Sequence, residues 1–287
     1  MPVATLTFAD RLAAEVERKR SQLVVGLDPV ADLMPVELRG DVARFCCAIV
    51  DAVAPHAVAV KPQLAFFESF GAHGMIAFEQ VCIYARNAGL LVIADGKRGD
   101  VGSTARACAA AYLEGEPPRA DALTVNPWLG RESVEPYLSA ARRNGAGVFV
   151  VVKTSNAGGD IQDVELTNGQ PVWQHVATQV ADWGADLVGD VGLSQIGAVV
   201  GATHPRAIAD ARRLMPRAVL LLPGLGAQGA VPSDLTRAFQ SGPASALANA
   251  SRSIIYAYRA TGDEDFRHAA GAEAARLQRE LWSASGW

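Results

Sequence analysis

The sequence is poor in cysteine, and its few cysteines form no recognisable redox motif. There are four among 287 residues, none of them in a Cys-x-x-Cys pair. They are Cys46, Cys47, Cys82 and Cys108. All four lie in stretches with a helical pattern, which favours buried free thiols in a reducing cytosol.

Motifs for metal binding and for serine nucleophiles are missing as well. The five histidines show no His-x-x-x-His or His-Glu pairing, although metal sites need ligands that converge. They are His56, His73, His175, His204 and His268. Ser155 lacks the surrounding His and Asp pattern of a serine nucleophile. The sequence therefore predicts no metal site and no catalytic serine.

Neither charge nor hydrophobicity points to nucleic acid or to a membrane. The net charge of −4 argues against a protein that coats nucleic acid, but a small anionic substrate needs only a few local cations. No apolar run approaches the roughly 20 residues that span a bilayer. Residues 1–5 do not begin a basic segment followed by an apolar one, so we see no secretory signal and expect a cytoplasmic protein.

What the sequence does contain is a series of short apolar runs, most of which end in a polar or glycine-rich turn. There are eight of them, over residues 22–27, 57–60, 90–94, 122–125, 147–152, 196–200, 218–222 and 248–255. Most are continuously hydrophobic rather than alternating, as expected for strands buried on both faces of a parallel sheet.

Stretches with helical periodicity separate these runs. They include residues 131–138, 171–185 and 205–212, and two framing helices are predicted over residues 7–19 and 263–282. A loop is expected over residues 156–160. Eight strand–helix units in under 300 residues favour an α/β protein with a single (β/α)₈-barrel domain, a TIM barrel, over residues 1–287. The alternative is an open doubly wound sheet, but the first turn, Gly26–Pro29, is no dinucleotide fingerprint.

Polar side chains recur where the predicted strands end. They are Asp28, Lys61, Asp95, Lys97, Ser155 and Arg252. An ionised group directly after four or five apolar residues is costly unless it is paired, so any one of them could belong to a structural ion pair. Because active sites of these barrels lie at the carboxyl ends of the strands, six such residues together favour an active site.

The run from Asp95 to Asp100 carries the strongest signal. Strand side chains alternate between faces, so Asp95 and Lys97 should share a face, and Lys61 on the neighbouring strand can reach Asp95 from the side. Asp100 lies at or near the start of the next helix, where it could also be a helix cap. Arg98 is better explained as a solvated charge or a carboxylate partner at the barrel rim.

The predicted cluster alternates in sign, from Lys61 through Asp95 and Lys97 to Asp100. Adjacent carboxylates keep lysines protonated, which argues against a Schiff-base lysine. The pattern favours Lys97 as a cation that stabilises a developing carbanion and then protonates it.

A second signal comes from the turns after the last two strands. Residues 223–230 are glycine-rich, and Arg252 follows strand eight. In this fold the two loops often bind phosphate through backbone N–H groups, and arginine offers a planar fork suited to it. An ordinary turn and a structural arginine remain the alternative.

The stretch Ala94–Thr104 resembles the signature of the orotidine 5′-phosphate decarboxylase family, most closely its longer bacterial (type 2) branch. Supporting stretches run in order from the first strand to the last: residues 26–29, 60–68, 125–130, 154–156, 223–229 and 250–253. The Asp-x-Lys-x-x-Asp pattern alone is shared with related sugar-phosphate enzymes, whereas Lys61 on strand two makes the resemblance specific.

The resemblance implies cofactor-free conversion of orotidine 5′-phosphate to uridine 5′-phosphate and CO₂ in de novo pyrimidine biosynthesis. By the family pattern, Lys97 protonates C6 of the pyrimidine and Asp95 sits near the departing carboxylate. Lys61 links Asp95 to the ribose. Remote binding of the phosphate can close loops and order the charged cluster.

The resemblance also implies the substrate contacts and a homodimer. Asp28 would hold ribose hydroxyls, and Ser155 would contact the pyrimidine edge. The phosphate would lie among Gln228, Gly229, Ser251 and Arg252, although Ser251 is often glycine in this family. Asp100 and Thr104 would reach the active site of the partner subunit.

Two other functions stay open on the sequence alone. One is a related barrel decarboxylase or isomerase for a pentulose or hexulose phosphate, which typically carries an acidic residue and Mg²⁺ where Lys61 stands. The other is a non-catalytic nucleotide-binding or scaffold protein, against which the intact set of charged residues argues.

Overall fold

The computed structural model describes residues 6–115, 119–156, 158–226 and 228–287. Three places used in the sequence analysis lie outside this described part: residues 1–5, Ala157 of the 156–160 loop and Ala227 of the glycine-rich turn. The remaining chain forms a closed barrel of parallel strands in sequential order, so the predicted (β/α)₈ barrel is confirmed. The strands are β1 (Leu23–Leu27), β2 (Ala59–Pro62), β3 (Leu91–Arg98), β4 (Ala122–Val125), β5 (Gly147–Lys153), β6 (Ser194–Val200), β7 (Ala218–Pro223) and β8 (Ala246–Ala250).

The α-helices follow the strands around the outside. They are α1 (Phe8–Lys19), α2 (Val42–Val53), α3 (Leu64–Glu68), α4 (Gly71–Asn87), α5 (Gly102–Leu113), α6 (Arg131–Asn144), α7 (Val172–Trp183), α8 (Pro205–Leu214), α9 (Arg252–Ile255), α10 (Ala257–Thr261) and α11 (Phe266–Ser285). The predicted helices over 7–19, 171–185 and 263–282 correspond to α1, α7 and α11. No helix in the described part of the chain is long and apolar enough to cross a membrane.

The core has two layers because strand side chains alternate between faces. Outward-facing residues such as Val25 and Val60 pack against the helices, and inward-facing residues such as Val24 and Phe149 fill the barrel. Helix α1 closes the bottom, where the Phe8 ring meets the Phe149 ring edge-on at 5.8 Å. Apolar side chains fill the barrel and α1 covers its bottom. A functional site can therefore form only at the opposite end, where the carboxyl ends of the strands lie.

The last apolar run differs from its predicted form. The run covers residues 248–255, with Arg252 predicted to follow strand eight; β8 is Ala246–Ala250, and Arg252 begins the short helix α9. Its apolar end, Ile254 and Ile255, is buried as part of a helix rather than a strand. Hydrophobicity alone does not distinguish these two cases in a short segment.

Candidate active site

A cavity of about 270 Å³ opens at the carboxyl end of the barrel. This is where the sequence placed an active site. Most of the predicted site residues line it, namely Asp28, Lys61, Asp95, Lys97, Ser155, Gln228, Ser251 and Arg252. Asp28 and Arg252, 224 positions apart, therefore meet because the site residues lie near the carboxyl ends of barrel strands or in the loops that follow them.

The centre of the cavity wall is a carboxylate held between two ammonium groups. Lys61 Nζ lies 2.5 Å from Asp95 Oδ2, and Lys97 Nζ lies 2.5 Å from Asp95 Oδ1. The hydroxyl of Thr124 on β4 donates to Asp95 Oδ1 at 2.9 Å. Asp95 therefore has both oxygens engaged, and the predicted contacts of Lys61 and Lys97 with it are confirmed.

Burial and charge act in opposite directions on this triad. Burial of Asp95 would raise the pKa of its carboxyl group, but Lys61 and Lys97 outweigh it and hold that pKa well below its usual range. Burial would likewise lower the pKa of Lys61, but the carboxylates of Asp95 and Asp28 reverse the effect and raise it. Lys61 and Asp95 are consequently both charged near neutral pH, and a Lys61 amine is not available as a neutral nucleophile.

Lys97 reaches Asp95 from an unusual backbone conformation. Its φ is +43°, in the left-handed region that side chains other than glycine rarely adopt. The pairing of β3 with β4 is irregular between Ala94 and Arg98, and Lys97 N donates to Thr124 Oγ1 at 2.9 Å within this irregularity. Such strain persists only where surrounding contacts enforce it, and it concentrates at functional sites. The side chain of Lys97 is 45% exposed, so its ammonium group faces both Asp95 and the open cavity.

Asp28 follows β1 on the other side of Lys61. Burial raises the pKa of its carboxyl group, and the nearby Lys61 opposes that shift. Its Oδ1 atom is buried and has no hydrogen-bond partner among the described residues. The backbone carbonyl of Asp28 accepts a hydrogen bond from the Tyr256 hydroxyl at 2.9 Å, which fixes the turn. A ligand that donates a hydrogen bond would satisfy the free carboxylate oxygen.

Residues predicted to bind the phosphate line the rim of the cavity between β7 and β8. Gly224, Gln228 and Arg252 line the cavity there, and Arg252 begins α9. A Cβ atom on Gly26 would lie 1.9 Å from Ser251 Oγ, so glycine at 26 gives Ser251 its room. Gly229 is not among the residues that line this cavity.

Asp100 and Thr104 are not brought into the cavity of their own barrel. They border a separate surface hollow together with Lys97 and Arg98. Asp100 Oδ1 accepts a hydrogen bond from the N–H of Val101 at 2.8 Å, and α5 has no side-chain cap at its start. The structure of one chain thus separates Asp100 from the Lys61–Asp95–Lys97 triad.

Arg98 lies where the sequence analysis placed it, at the rim. Its guanidinium group donates to the carboxylate of Glu68 and lies 5.9 Å from the centre of the Tyr112 ring. It is bound to surface groups and does not line the cavity.

Sequence reasoning missed two kinds of functional residue. Thr124 and Asn249 line the cavity as the single polar residues of β4 and β8, so nothing in the local pattern distinguished them. The second kind comprises Gln162 and Asp163, which hold the loop that follows β5 and carries Ser155. Gln162 Oε1 accepts a hydrogen bond from Thr154 N at 2.9 Å, and Lys153 Nζ lies 2.6 Å from Asp163 Oδ2.

In the described part of the chain, no three His, Cys, Asp or Glu side chains are grouped closely enough to hold a metal ion. The four cysteines are free thiols.

Comparison with known proteins gives a consistent result over most of the chain. The family model described as orotidine 5′-phosphate decarboxylase / HUMPS family matches residues 21–262. Orotidine 5′-phosphate decarboxylase of Deinococcus radiodurans is 48% identical over 257 residues, which cover 88% of this chain and 90% of that protein. The enzyme of the same name from Rhodopirellula baltica is 44% identical over 272 residues, covering 88% of this chain and 90% of the relative.

Solved structures show the same similarity. The structure of OMP decarboxylase from Leishmania donovani superposes with a TM-score of 0.75 at 30% sequence identity, covering 97% of this chain and 99% of the other.

Proposed function

This chain belongs to the orotidine 5′-phosphate decarboxylase family, and from that membership we propose a mechanism in which its own charged side chains remove CO₂ from orotidine 5′-phosphate. The product is uridine 5′-phosphate, and the reaction is a step of pyrimidine biosynthesis. The observation that carries the mechanism is the Asp95 carboxylate held between the Lys61 and Lys97 ammonium groups. This arrangement requires no cofactor.

Lys97 is the proton donor in this mechanism. Loss of CO₂ leaves an electron pair at C6 of the pyrimidine, and a fixed cation beside C6 stabilises charge that appears only in the transition state. The Lys97 ammonium group then transfers a proton to C6, which completes the product. Lys97 is the more exposed of the two lysines, so it is the one that can meet the substrate.

Asp95 and Lys61 prepare that step. The carboxylate of Asp95 keeps Lys61 charged, pairs with Lys97 and lies where the substrate carboxylate would depart. Lys61 is nearly inaccessible, with 6% of its side chain exposed. It forms an ion pair with Asp95, and its charge also interacts with that of Asp28. Asp28 has the free acceptor that a ribose hydroxyl would satisfy.

The two ends of the substrate would be held on opposite sides of the cavity. Arg252, Gln228, Ser251 and the glycine-rich turn with Gly229 would bind the phosphate. Ser155 would contact the pyrimidine edge. A Cβ atom on Gly201 would lie 2.9 Å from Ser155 Cα, so the glycine lets β6 approach Ser155 closely and hold it.

We also propose a homodimer in which Asp100 and Thr104 complete the partner's site. Both residues lie outside their own cavity and face outward. Val101, next to Asp100, is 43% exposed, and Trp128 in the loop after the neighbouring strand β4 is 67% exposed. Burying these side chains against a second copy would bring Asp100 to the partner. Cytoplasmic location and membership of the longer bacterial branch also remain parts of the proposal.

The direct test follows the absorbance of orotidine 5′-phosphate with purified protein. We expect the substrate spectrum to convert to that of uridine 5′-phosphate, with one CO₂ released per turnover. A protein that binds uridine 5′-phosphate but shows no turnover would instead be a nucleotide-binding protein.

Removal of divalent metal separates the proposed reaction from that of the sugar-phosphate enzymes. We expect turnover to be unchanged after dialysis against a chelator, because the cation beside the reacting carbon is a lysine. Activity that disappears with chelator and returns with Mg²⁺ would contradict the mechanism.

Arg252→Ala tests the phosphate site. We expect the affinity for uridine 5′-phosphate to fall about 10- to 100-fold, as on loss of a charge-assisted hydrogen bond, while binding of uridine is unchanged. Calorimetric titration with both ligands measures the difference. Equal losses for uridine and its phosphate would show that Arg252 does not bind the phosphate.

A further inference from the structure

Asn249 is a polar residue in the floor of the active-site cavity with an unmet hydrogen-bonding capacity. It lies on β8, is only 5% exposed and lines the cavity. Its Oδ1 atom is buried and has no hydrogen-bond partner within the described residues. Its Nδ2 atom makes one long contact, 3.4 Å to Ser251 Oγ.

Such an arrangement destabilises the empty enzyme. Val199 and Leu221 line the same cavity, so an apolar side chain at position 249 would have apolar neighbours. A buried amide without its hydrogen bonds is unfavourable by comparison. A residue that lowers stability in the free protein and points into a binding cavity is expected to meet its partner in the ligand.

The position of Asn249 indicates which part of the ligand it meets. Strand β8 closes the barrel between β7 and β1, and Asn249 pairs in register with Pro223 and Val24. It therefore lies deeper in the barrel than Arg252, three residues further on, and than Asp28, which follows the adjacent β1. On the proposed function, the phosphate binds at Arg252 and the sugar binds at Asp28.

The unpaired acceptor atoms at this site favour contact with the sugar rather than with the phosphate. Asp28 Oδ1 and Asn249 Oδ1 are both buried acceptors without partners in the described part of the chain, and both residues line the cavity. A phosphate brings further acceptors, whereas ribose brings hydroxyl groups that can donate to Oδ1 or accept from an amide N–H. We propose that Asn249 is a sugar-binding residue that hydrogen-bonds a ribose hydroxyl of the nucleotide; this inference rests on the proposed function.

The test compares wild type with the near-isosteric variant Asn249→Leu, using uridine 5′-phosphate and its 2′-deoxy and 3′-deoxy forms as ligands. We expect the variant to bind uridine 5′-phosphate about 10-fold more weakly, the loss of one hydrogen bond. For the deoxynucleotide that lacks the contacted hydroxyl, wild type and variant should bind equally. With orotidine 5′-phosphate, KM should rise more than kcat falls.

Thermal unfolding distinguishes a binding role from a structural one. Without ligand, Asn249→Leu should melt at the same temperature as wild type or higher. The matched control is Ser245→Ala, next to β8, because Ser245 is fully buried and its Oγ donates to the carbonyl of Gly242 at 2.7 Å. That control should melt at a lower temperature and bind all three nucleotides as wild type does.

Two results would overturn the inference while leaving the decarboxylase function intact. One is an equal loss of affinity by Asn249→Leu for all three nucleotides. The other is a lowered melting temperature with unchanged affinities, which would make Asn249 structural. A wild-type protein that neither binds uridine 5′-phosphate nor turns over orotidine 5′-phosphate would overturn the proposed function, and this inference with it.

Discussion

Lys97→Ala is expected to lower kcat for orotidine 5′-phosphate by about 10⁴-fold or more while the protein remains folded. Two contributions disappear together in this variant: electrostatic stabilisation of the carbanion, which is typically 10²–10³-fold, and proton donation, which is typically 10²–10⁴-fold. Steady-state turnover measured by absorbance gives the loss, and circular dichroism confirms the fold.

The fold should survive because the ammonium group of Lys97 is not the sole partner of Asp95. The Lys61 ammonium and the Thr124 hydroxyl continue to engage its carboxylate. In addition, the backbone N–H of Lys97 donates to Thr124 Oγ1, a contact that alanine at this position can still make.

Arg98→Ala is the matched control, since it removes the neighbouring cation of the same strand. Arg98 binds Glu68 at the rim and does not line the cavity, so we expect kcat to stay within about 10-fold of wild type, far above Lys97→Ala. Substantial turnover by Lys97→Ala, or equal losses in the two variants, would show that Lys97 is not the proton donor.

The features that the sequence predicted correctly share a physical origin. A closed parallel barrel requires continuous buried strands, and the residue that follows such a strand must lie at one end of the barrel. Lys61 and Asp95 could therefore be predicted to meet, although 34 positions separate them, because each directly follows an apolar run and the two runs form adjacent strands. The same reasoning placed Arg252 beside the glycine-rich turn.

The features that escaped prediction depend on single contacts rather than on periodicity. Asn249 stands in an alanine-rich run and has the same pattern as a core residue. Gln162 and Asp163 bind back to β5 through a loop whose path no repeat encodes. The left-handed backbone of Lys97 has no glycine to signal it. Each of these required knowing which atoms approach one another in three dimensions.

Asp95→Ala is expected to abolish turnover and also to lower the free energy of unfolding by about 3–5 kcal/mol, the usual effect of breaking a buried ion pair from one side. Lys61 is then left as a buried cation whose remaining negative neighbour, Asp28, does not bond to it directly. The double variant Asp95→Ala/Lys61→Met removes both charges, so it should be more stable than Asp95→Ala yet equally inactive. Denaturant titrations of wild type, Lys61→Met, Asp95→Ala and the double variant complete the cycle.

The dependence of this stability difference on pH provides an independent check. The pKa of Asp95 is held below its unfolded value of about 3.9, so its stabilising contribution is fully present above that pH and is lost as the pH falls towards the folded pKa. The gap in unfolding free energy between wild type and Asp95→Ala should accordingly be constant near neutral pH and narrow below about pH 4. A gap that persists undiminished in acid, or a double variant no more stable than Asp95→Ala, would mean that lost packing, not the Lys61–Asp95 charge pair, explains the effect of the substitution.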